Sequence, residues 1–319
     1  MKAELELTTS FRSSFTGKMV RVVRQIRARS RVLELERSAG DSVFLVTPTA
    51  EHGSKQIVVS LTTYGPRLYD VHLVLESIAQ QTMKPNRVIL WLDEAEYQER
   101  DVPIVLQHQM ERGLEVRFCH NLRSYKKLIP TLKICPDATI ITIDDDILYP
   151  KDMLEQLVTE SQRFPNTVIA HRARRIGFNE ARLAPYREWE YVSSEERPSS
   201  LTLPIGIGGV LYPPGIFHHD VFVESKFMSL ASNADDIWFK AMSLLCGVKC
   251  KKTNDARTFY SRFFEIPGSQ LNALHHTNLL GQENDVQIAS VFGRYQLYDL
   301  LWYEAQSESA SIDCHVNRK

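Results

Sequence analysis

From Gln56 onward the hydrophobic positions alternate between short continuous runs and longer stretches with helical spacing. Ile57-Val58-Val59-Ser60-Leu61, Arg87 to Leu92, Leu114 to Phe118 and Ala138 to Ile143 read as strands, and Thr167 to His171 as a further one. Between them, Leu68 to Gln81, Ile104 to Arg112, Lys126 to Ile134 and Asp152 to Arg163 read as helices covering one face of a sheet. Strand runs that are apolar at nearly every position suit a sheet covered on both sides. The alternation therefore predicts an α/β fold, a mostly parallel sheet flanked by helices with right-handed crossovers. Residues 174–204 break the rhythm, being polar, aromatic and proline-containing, and predict an excursion on the substrate side rather than core. A later helix opens at Asn233-Ala234-Asp235-Asp236 and runs to about Cys246, with Asn233 or Asp235 available as N-cap.

Ahead of this pattern the chain changes character. Phe11 to Arg31 holds Arg12, Lys18, Arg21, Arg24, Arg27, Arg29 and Arg31 with no acid, and Met19, Val20, Val22, Val23 and Ile26 lie among them. This predicts a basic, partly amphipathic helix. It suits an anionic membrane face, where each well-placed basic residue contributes about 1 kcal/mol; solvent or a neighbouring subunit are the other settings. Ser38 to Lys55, with Gly40, Pro48 and Gly53, reads as a linker. The expected division is a basic arm and linker over 1–54, one catalytic domain over 55–305 and a flexible tail over 306–319.

Composition narrows the classes. With 319 residues, 43% of them hydrophobic, the chain can bury a large core. A net charge of −1 argues against a dedicated nucleic-acid binder, so no nucleic-acid partner is expected. The five cysteines, Cys119, Cys135, Cys246, Cys250 and Cys314, form neither a disulfide framework nor a zinc spacing, which points to reducing cytoplasm. No apolar stretch is long enough to span a bilayer and no signal-peptide pattern is present, so a soluble or peripheral protein at the inner membrane face is expected.

Chemistry enters with Asp144-Asp145-Asp146, delivered by an apolar run to the end of a strand, where open α/β sheets place their ligands. Adjacent carboxylates repel, and a bound cation offsets that cost. A second acidic pair, Asp235-Asp236, starts a helix some ninety residues later. The two groups divide labour as a metal-assisted transfer requires, one holding a hard cation on phosphate oxygens and the other taking a proton from a hydroxyl. Between them, Pro204 to Gly215 carries four glycines, yet Pro213-Pro214 stands where a phosphate-cradling helix would open; a glycine-lined cleft wall fits better.

Six ordered segments resemble a known group. Val59 to Arg67 is similar to the first-strand segment of GT-A-type glycosyltransferases of the family 2-like kind that build bacterial capsule and lipopolysaccharide. Ser77-Ile78, Gln81-Thr82 and Pro85 resemble that group's SI-x-x-QT-x-x-P helix end. Ser124 to Pro130, Asp144-Asp145-Asp146 in place of the DxD motif, Gly208 to Pro213 and Ala234 to Trp238 follow in order. The resemblance covers Gln56 to Tyr303 and implies the GT-A fold, a nucleotide-sugar donor, a glycan or lipid-linked glycan acceptor, and Mn2+ or Mg2+.

Residue by residue, it implies that Asp144 and Asp146 face the metal, with Asp144 and Asp145 also toward the donor. Asp236 would be the general base of an inverting reaction, with Asp235 in place of the usual glutamate beside it. Thr62, Tyr64, Arg67 and Asp93 would hold the nucleotide. Lys126 or its neighbour Lys127, and Arg172 in the His171-to-Arg175 cluster, would bind the donor, the lysine at a phosphate and the arginine at the diphosphate or an anionic sugar. Gly208, Gly209 and Trp238 would line the acceptor side. A late histidine, His275 or His276, joins the metal in some GT-A enzymes, but this family's pattern does not require it and the question is left open. The rivals are a retaining transferase on the same scaffold, a non-catalytic glycan or nucleotide binder, and a nucleotidyltransferase, for which Tyr64-Gly65-Pro66-Arg67 is a poor match. Homo-oligomer formation is left open.

Overall fold

The computed structural model describes residues 15–39, 44–47, 56–192, 197–269 and 283–316. The chain enters through α1 (Phe15–Ser38), then runs β1 (Ile57–Thr62), α2 (Val71–Ala79), β2 (Arg87–Asp93), α3 (Ile104–Glu111), β3 (Leu114–Cys119), α4 (Ile129–Ile134) and β4 (Thr139–Thr142). It continues through β5 (Ile147–Leu148), α5 (Met153–Arg163), β6 (Val168–Ala170), β7 (Ala173–Arg175), β8 (Phe178–Asn179), β9 (Arg182–Leu183), β10 (Thr202–Pro204) and β11 (Val210–Tyr212). Then follow α6 (Glu224–Leu230), α7 (Asp235–Leu244), β12 (Cys250–Lys252), α8 (Phe259–Arg262), β13 (Phe264–Glu265), α9 (Glu283–Arg294) and α10 (Leu297–Val316).

Seven strands form the central sheet in the order β12-β6-β11-β4-β1-β2-β3. All neighbours pair parallel except β11, which runs antiparallel to both β4 and β6. This is the predicted α/β class, and the period-two geometry of the strands explains why it forms. Val58, Ile89, Trp91 and Ile140 face one apolar layer, completed by α4, α6, α7, α9 and α10. Val59, Leu61, Val88, Leu90 and Ile141 face the other, completed by α1, α2, α3 and α5. The fully buried hydroxyl of β1, Ser60, is satisfied by Thr131 Oγ1 at 2.7 Å, which also accepts from Trp91 Nε1 at 2.8 Å.

Topology sets the site. Because β11 is antiparallel, its start lies beside the end of β4, with Val210 opposite Thr142. The glycine segment preceding Val210 therefore meets the acids following Thr142.

Two boundaries differ from the expected division. Leu35 of α1 and Leu45 are fully buried in the second layer, and the Leu45 and Thr47 N–H groups donate to Arg112 O and Pro85 O at 3.0 and 2.9 Å. The end of the basic arm is thus part of the domain core. Residues 306–316, expected as a tail, continue α10. No described helix is long and apolar enough to cross a membrane.

Candidate active site

Two acidic groups remote in sequence meet on a single ammonium. Lys127 Nζ lies 3.1 Å from Asp144 Oδ1 and 3.1 Å from Asp235 Oδ2. Lys127 ends a 3₁₀ turn, Arg123–Lys127, that precedes α4 and aims its side chain into the gap between β4 and α7. Burial opposes its charge, but the Asp144, Asp235 and Asp236 carboxylates outweigh that cost and hold its ammonium well above the ordinary lysine range.

The β4–β5 turn is braced from below. Asp144 N–H donates to Tyr149 Oη at 2.8 Å, and Tyr149 N–H donates to Ser77 Oγ at 3.1 Å. Asp145 is nearly enclosed and accepts from Thr63 Oγ1 at 2.6 Å and Arg67 Nη1 at 2.8 Å. Arg67 Nη2 lies 3.1 Å from Asp146 Oδ2 and donates to Ser269 O at 3.0 Å. Burial, then the Asp144 charge, pushes the Asp146 carboxyl up to about 7.

On the opposite wall, Gly206 N–H donates to Asp236 Oδ2 at 3.1 Å. A side chain at Gly206 would crowd the site: a Cβ there would sit 3.0 Å from Lys127 Nζ and 3.3 Å from Asp236 Oδ1, so both groups would have to give way. Burial, then the neighbouring Asp235 charge, raises the Asp236 carboxyl to about 7, inside the range where a base works at neutral pH.

The donor set fits a hard divalent cation. The carboxylates of Asp144, Asp145, Asp146, Asp235 and Asp236 share this region with the charges of Arg67 and Lys127, an excess of negative charge that a cation would balance. Asp144 and Asp146 would supply oxygen ligands, with phosphate oxygens and water completing the shell. Among the described residues, three ligand atoms converge within 4.8 Å only at His218, His219 and Asp220. There Asp220 already accepts from Lys226 Nζ at 2.5 Å and Tyr295 Oη at 2.7 Å, which makes it a structural ion-pair network.

A stability test follows from the raised carboxyls. Asp146 and Asp236 keep their protons in the fold up to about pH 7 but lose them near 3.8 when unfolded, so folding takes up protons and stability falls as pH rises between those values. Without divalent ions the protein is expected to melt several degrees higher near pH 5.5 than near pH 8. Mn2+ at pH 8 is expected to narrow that gap. Thermal denaturation at the two pH values reads both effects, and equal melting temperatures would remove the charge argument.

Several expected residues sit elsewhere. Thr62 Oγ1 donates to Trp91 O at 2.9 Å, whereas Thr63 meets the acids. Lys126 turns inward to Asp93 at 3.8 Å, both side chains being buried, and Asp93 also accepts from Ala95 N–H at 3.0 Å; this pair closes the end of β2 internally. Trp238 is fully enclosed, edge-on to Phe227 and Tyr295, and is a core residue rather than an acceptor surface. Tyr64 is exposed, with the Arg67 guanidinium 5.4 Å from its ring centre.

Gly208 backs onto Phe259 and His171, where a Cβ would lie 2.8 and 2.9 Å from their side chains. Gly209 takes a positive φ of 89° that admits the turn into β11. Burial lowers His171 to about 4; this neutral ring bonds Met153 O at 3.0 Å and Thr253 Oγ1 at 3.1 Å. Arg172 lies on the same wall, among aromatic rings. His275 and His276 lie outside the described residues.

Sequence reasoning missed Thr63 and Gly206, and of the lysine pair it selected Lys126 over Lys127. Gly206 was legible in the glycine run. Nothing local separates Lys127 from Lys126 or Thr63 from Thr62, because adjacent residues differ only in which way the backbone turns them.

No protein-family model matches the chain, and no curated protein matches it. Among solved structures it is similar to a CMP:2-keto-3-deoxy-manno-octonic acid synthetase complexed with CTP, at 12% identity over 64% of this chain and 91% of that one, TM-score 0.38. It is similar to the mannosyltransferase PcManGT from Pyrobaculum calidifontis in complex with GDP-Man and Mn2+, at 13% identity over 74% of this chain and 66% of that one, TM-score 0.39. It is also similar to S. aureus TarS 1–349, at 16% identity over 63% of this chain and 58% of that one, TM-score 0.41. The chain thus spans less than two thirds of the length of the last two. Likenesses this distant carry nothing about chemistry, which rests on the side chains described above.

Proposed function

We propose that this protein is an inverting, metal-dependent glycosyltransferase of GT-A type that moves a sugar from a nucleotide-sugar donor to a glycan acceptor in surface polysaccharide synthesis. The observation that carries the reading is the Lys127 ammonium held equally by Asp144 and Asp235, which brings a cation-binding acid group and a base-bearing helix start to one place.

Asp236 is the general base. Its Oδ2 is held by Gly206 N–H, which leaves Oδ1 to take the proton of the acceptor hydroxyl. The acceptor oxygen then bonds to the anomeric carbon as the bond from that carbon to the donor phosphate breaks, and the electron pair leaves with the nucleoside diphosphate. Attack from the side opposite the leaving group inverts the anomeric centre. A divalent ion on Asp144 and Asp146, when bound, would neutralise charge on the leaving diphosphate. Lys127 adds a fixed positive charge beside it, and Arg67 orients Asp145 and Asp146.

A thermal-shift screen of nucleoside diphosphates with and without Mn2+ tests the reading, since a ligand bound only by the folded state raises Tm. One nucleotide is expected to stabilise the wild type only with Mn2+, and Asp146→Ala is expected to abolish that dependence while still folding. Stabilisation by no nucleotide sinks the donor assignment, and an unchanged Asp146→Ala sinks the metal assignment.

The same reading places the protein in the cytoplasm, against the inner membrane face, where a lipid-linked acceptor is reached. In α1, Met19, Val20, Val22 and Ile26 are more than half exposed, among Lys18, Arg21, Arg27 and Arg29. Co-sedimentation with anionic vesicles is expected and should weaken as salt rises. Equal binding to neutral vesicles would remove this contact.

A further inference from the structure

Arginine and tyrosine side chains alternate in one continuous stack along the wall that carries β7. The Arg24 guanidinium lies 4.2 Å from the Tyr260 ring centre, and Arg172 lies 4.7 Å from the same ring and 4.3 Å from that of Tyr191. Arg174 lies 4.2 Å from the Tyr191 ring and 4.7 Å from that of Tyr186. Arg24 is neutralised by Glu265 at 3.0 Å. Arg172 and Arg174 are different: among the described residues no carboxylate pairs with either, although only 9% and 7% of their surfaces are exposed.

Their hydrogen bonding is also incomplete. Arg172 Nη2 donates to Tyr260 Oη at 2.7 Å, and Arg174 donates to Tyr186 O, Trp189 O and Tyr191 Oη at 3.1, 2.9 and 3.0 Å. Arg172 Nη1 and Arg174 Nε are buried with no partner among the described residues. A buried guanidinium lacking both a counter-charge and a full set of acceptors is costly, and its planar fork matches a carboxylate or phosphate. The Tyr191 phenol registers the same excess: burial alone would raise its pKa, yet the two guanidinium charges bring it below the ordinary tyrosine value.

The stack lies on the side of the base. Residues of β7 pair with β10, which leads straight into Gly206, and Ile205 N–H donates to Arg172 O at 2.9 Å. At the other end of the stack, Tyr186 is close enough to Asp236 for that carboxylate to affect its titration. The donor diphosphate, in contrast, is assigned to the wall of Asp144, Asp146, Arg67 and Lys127.

We propose that Arg172, backed by Arg174, forms a ready-made subsite for a carboxylate or phosphate group on the acceptor, so that the glycan extended by this protein is anionic. This rests on the reading that Asp236 receives the acceptor hydroxyl. The aromatic rings hold the two arginines side by side despite their repulsion, and the acceptor's negative charge supplies the missing counter-ion.

The test measures binding of glucuronate, glucose 6-phosphate and glucose to the full-length protein by calorimetry, alone and again with Mn2+ and the nucleoside diphosphate that stabilises it. Glucuronate or glucose 6-phosphate is expected to bind at least about tenfold more tightly than glucose. Arg172→Gln should erase that preference, and Arg172→Lys, which keeps charge but not the fork and guards against loss of fold, should weaken it several-fold. Nucleoside diphosphate affinity should stay unchanged in both variants. Equal binding of the three sugars by the wild type overturns the proposal. So does a variant that loses nucleotide affinity while the sugar preference stays, because the arginines would then serve the donor. If no nucleotide binds at all, the transferase reading fails by itself, and the measurements without nucleotide still decide whether the anion site exists.

Discussion

Asp236→Asn is expected to lower kcat for sugar transfer by about 10²- to 10⁴-fold while leaving nucleoside diphosphate affinity within about twofold of wild type. The amide still accepts from Gly206 N–H, and Lys127 still has Asp144 and Asp235, so the surroundings persist and only the proton acceptor is lost. The pH profile separates this from a structural effect. Asp236 has to be ionised to act, and its carboxyl titrates near 7, so wild-type kcat should rise through neutral pH and flatten above it. The variant should lose that limb. Melting near pH 8 should rise in the variant, because an ionised carboxylate that burial disfavours has been removed. Transfer at the wild-type rate would end the assignment of Asp236 as base.

Lys127→Met should produce the largest loss of stability among the site variants. Removing the ammonium leaves Asp144 and Asp235 facing one another without their shared partner, and stripping one side of a buried ion pair costs about 3–5 kcal/mol. A fall in Tm of roughly 4–8 °C is expected near pH 8. Lys126→Met is the informative control. It removes the partner of Asp93 and should also destabilise, yet Mn2+-dependent nucleotide binding should survive in Lys126→Met and vanish in Lys127→Met. If the two lysines behave alike in nucleotide binding, Lys127 is structural and the two acid groups share no function.

Both predictions turn on distinctions that linear patterning does not make. Sequence patterning located the acids at a strand end and at a helix start, and both placements hold, with Asp144 following β4 and Asp235 opening α7. It did not show that one lysine would span them, since that distance depends on how β11 inserts antiparallel between β4 and β6. Thr62 and Lys126, each chosen over its neighbour, illustrate a second limit. One step along an extended segment reverses the side chain, and one step along a tight turn swings it by about a third of a revolution. Trp238 shows a third: an aromatic residue three positions into a helix reads equally as ligand platform or core, and enclosure by Phe227 and Tyr295 settled it.

By itself the sequence determined the α/β class, the order of elements along the chain and the chemical inventory of acids, arginines and glycines, because burial on both faces of a sheet leaves a direct imprint on the spacing of apolar residues. Which of those groups meet, and the rise in carboxyl pKa that follows from their enclosure, belonged to the tertiary structure alone. Electrostatic coupling depends on separation in space and on exclusion of water, and neither is encoded in distance along the chain.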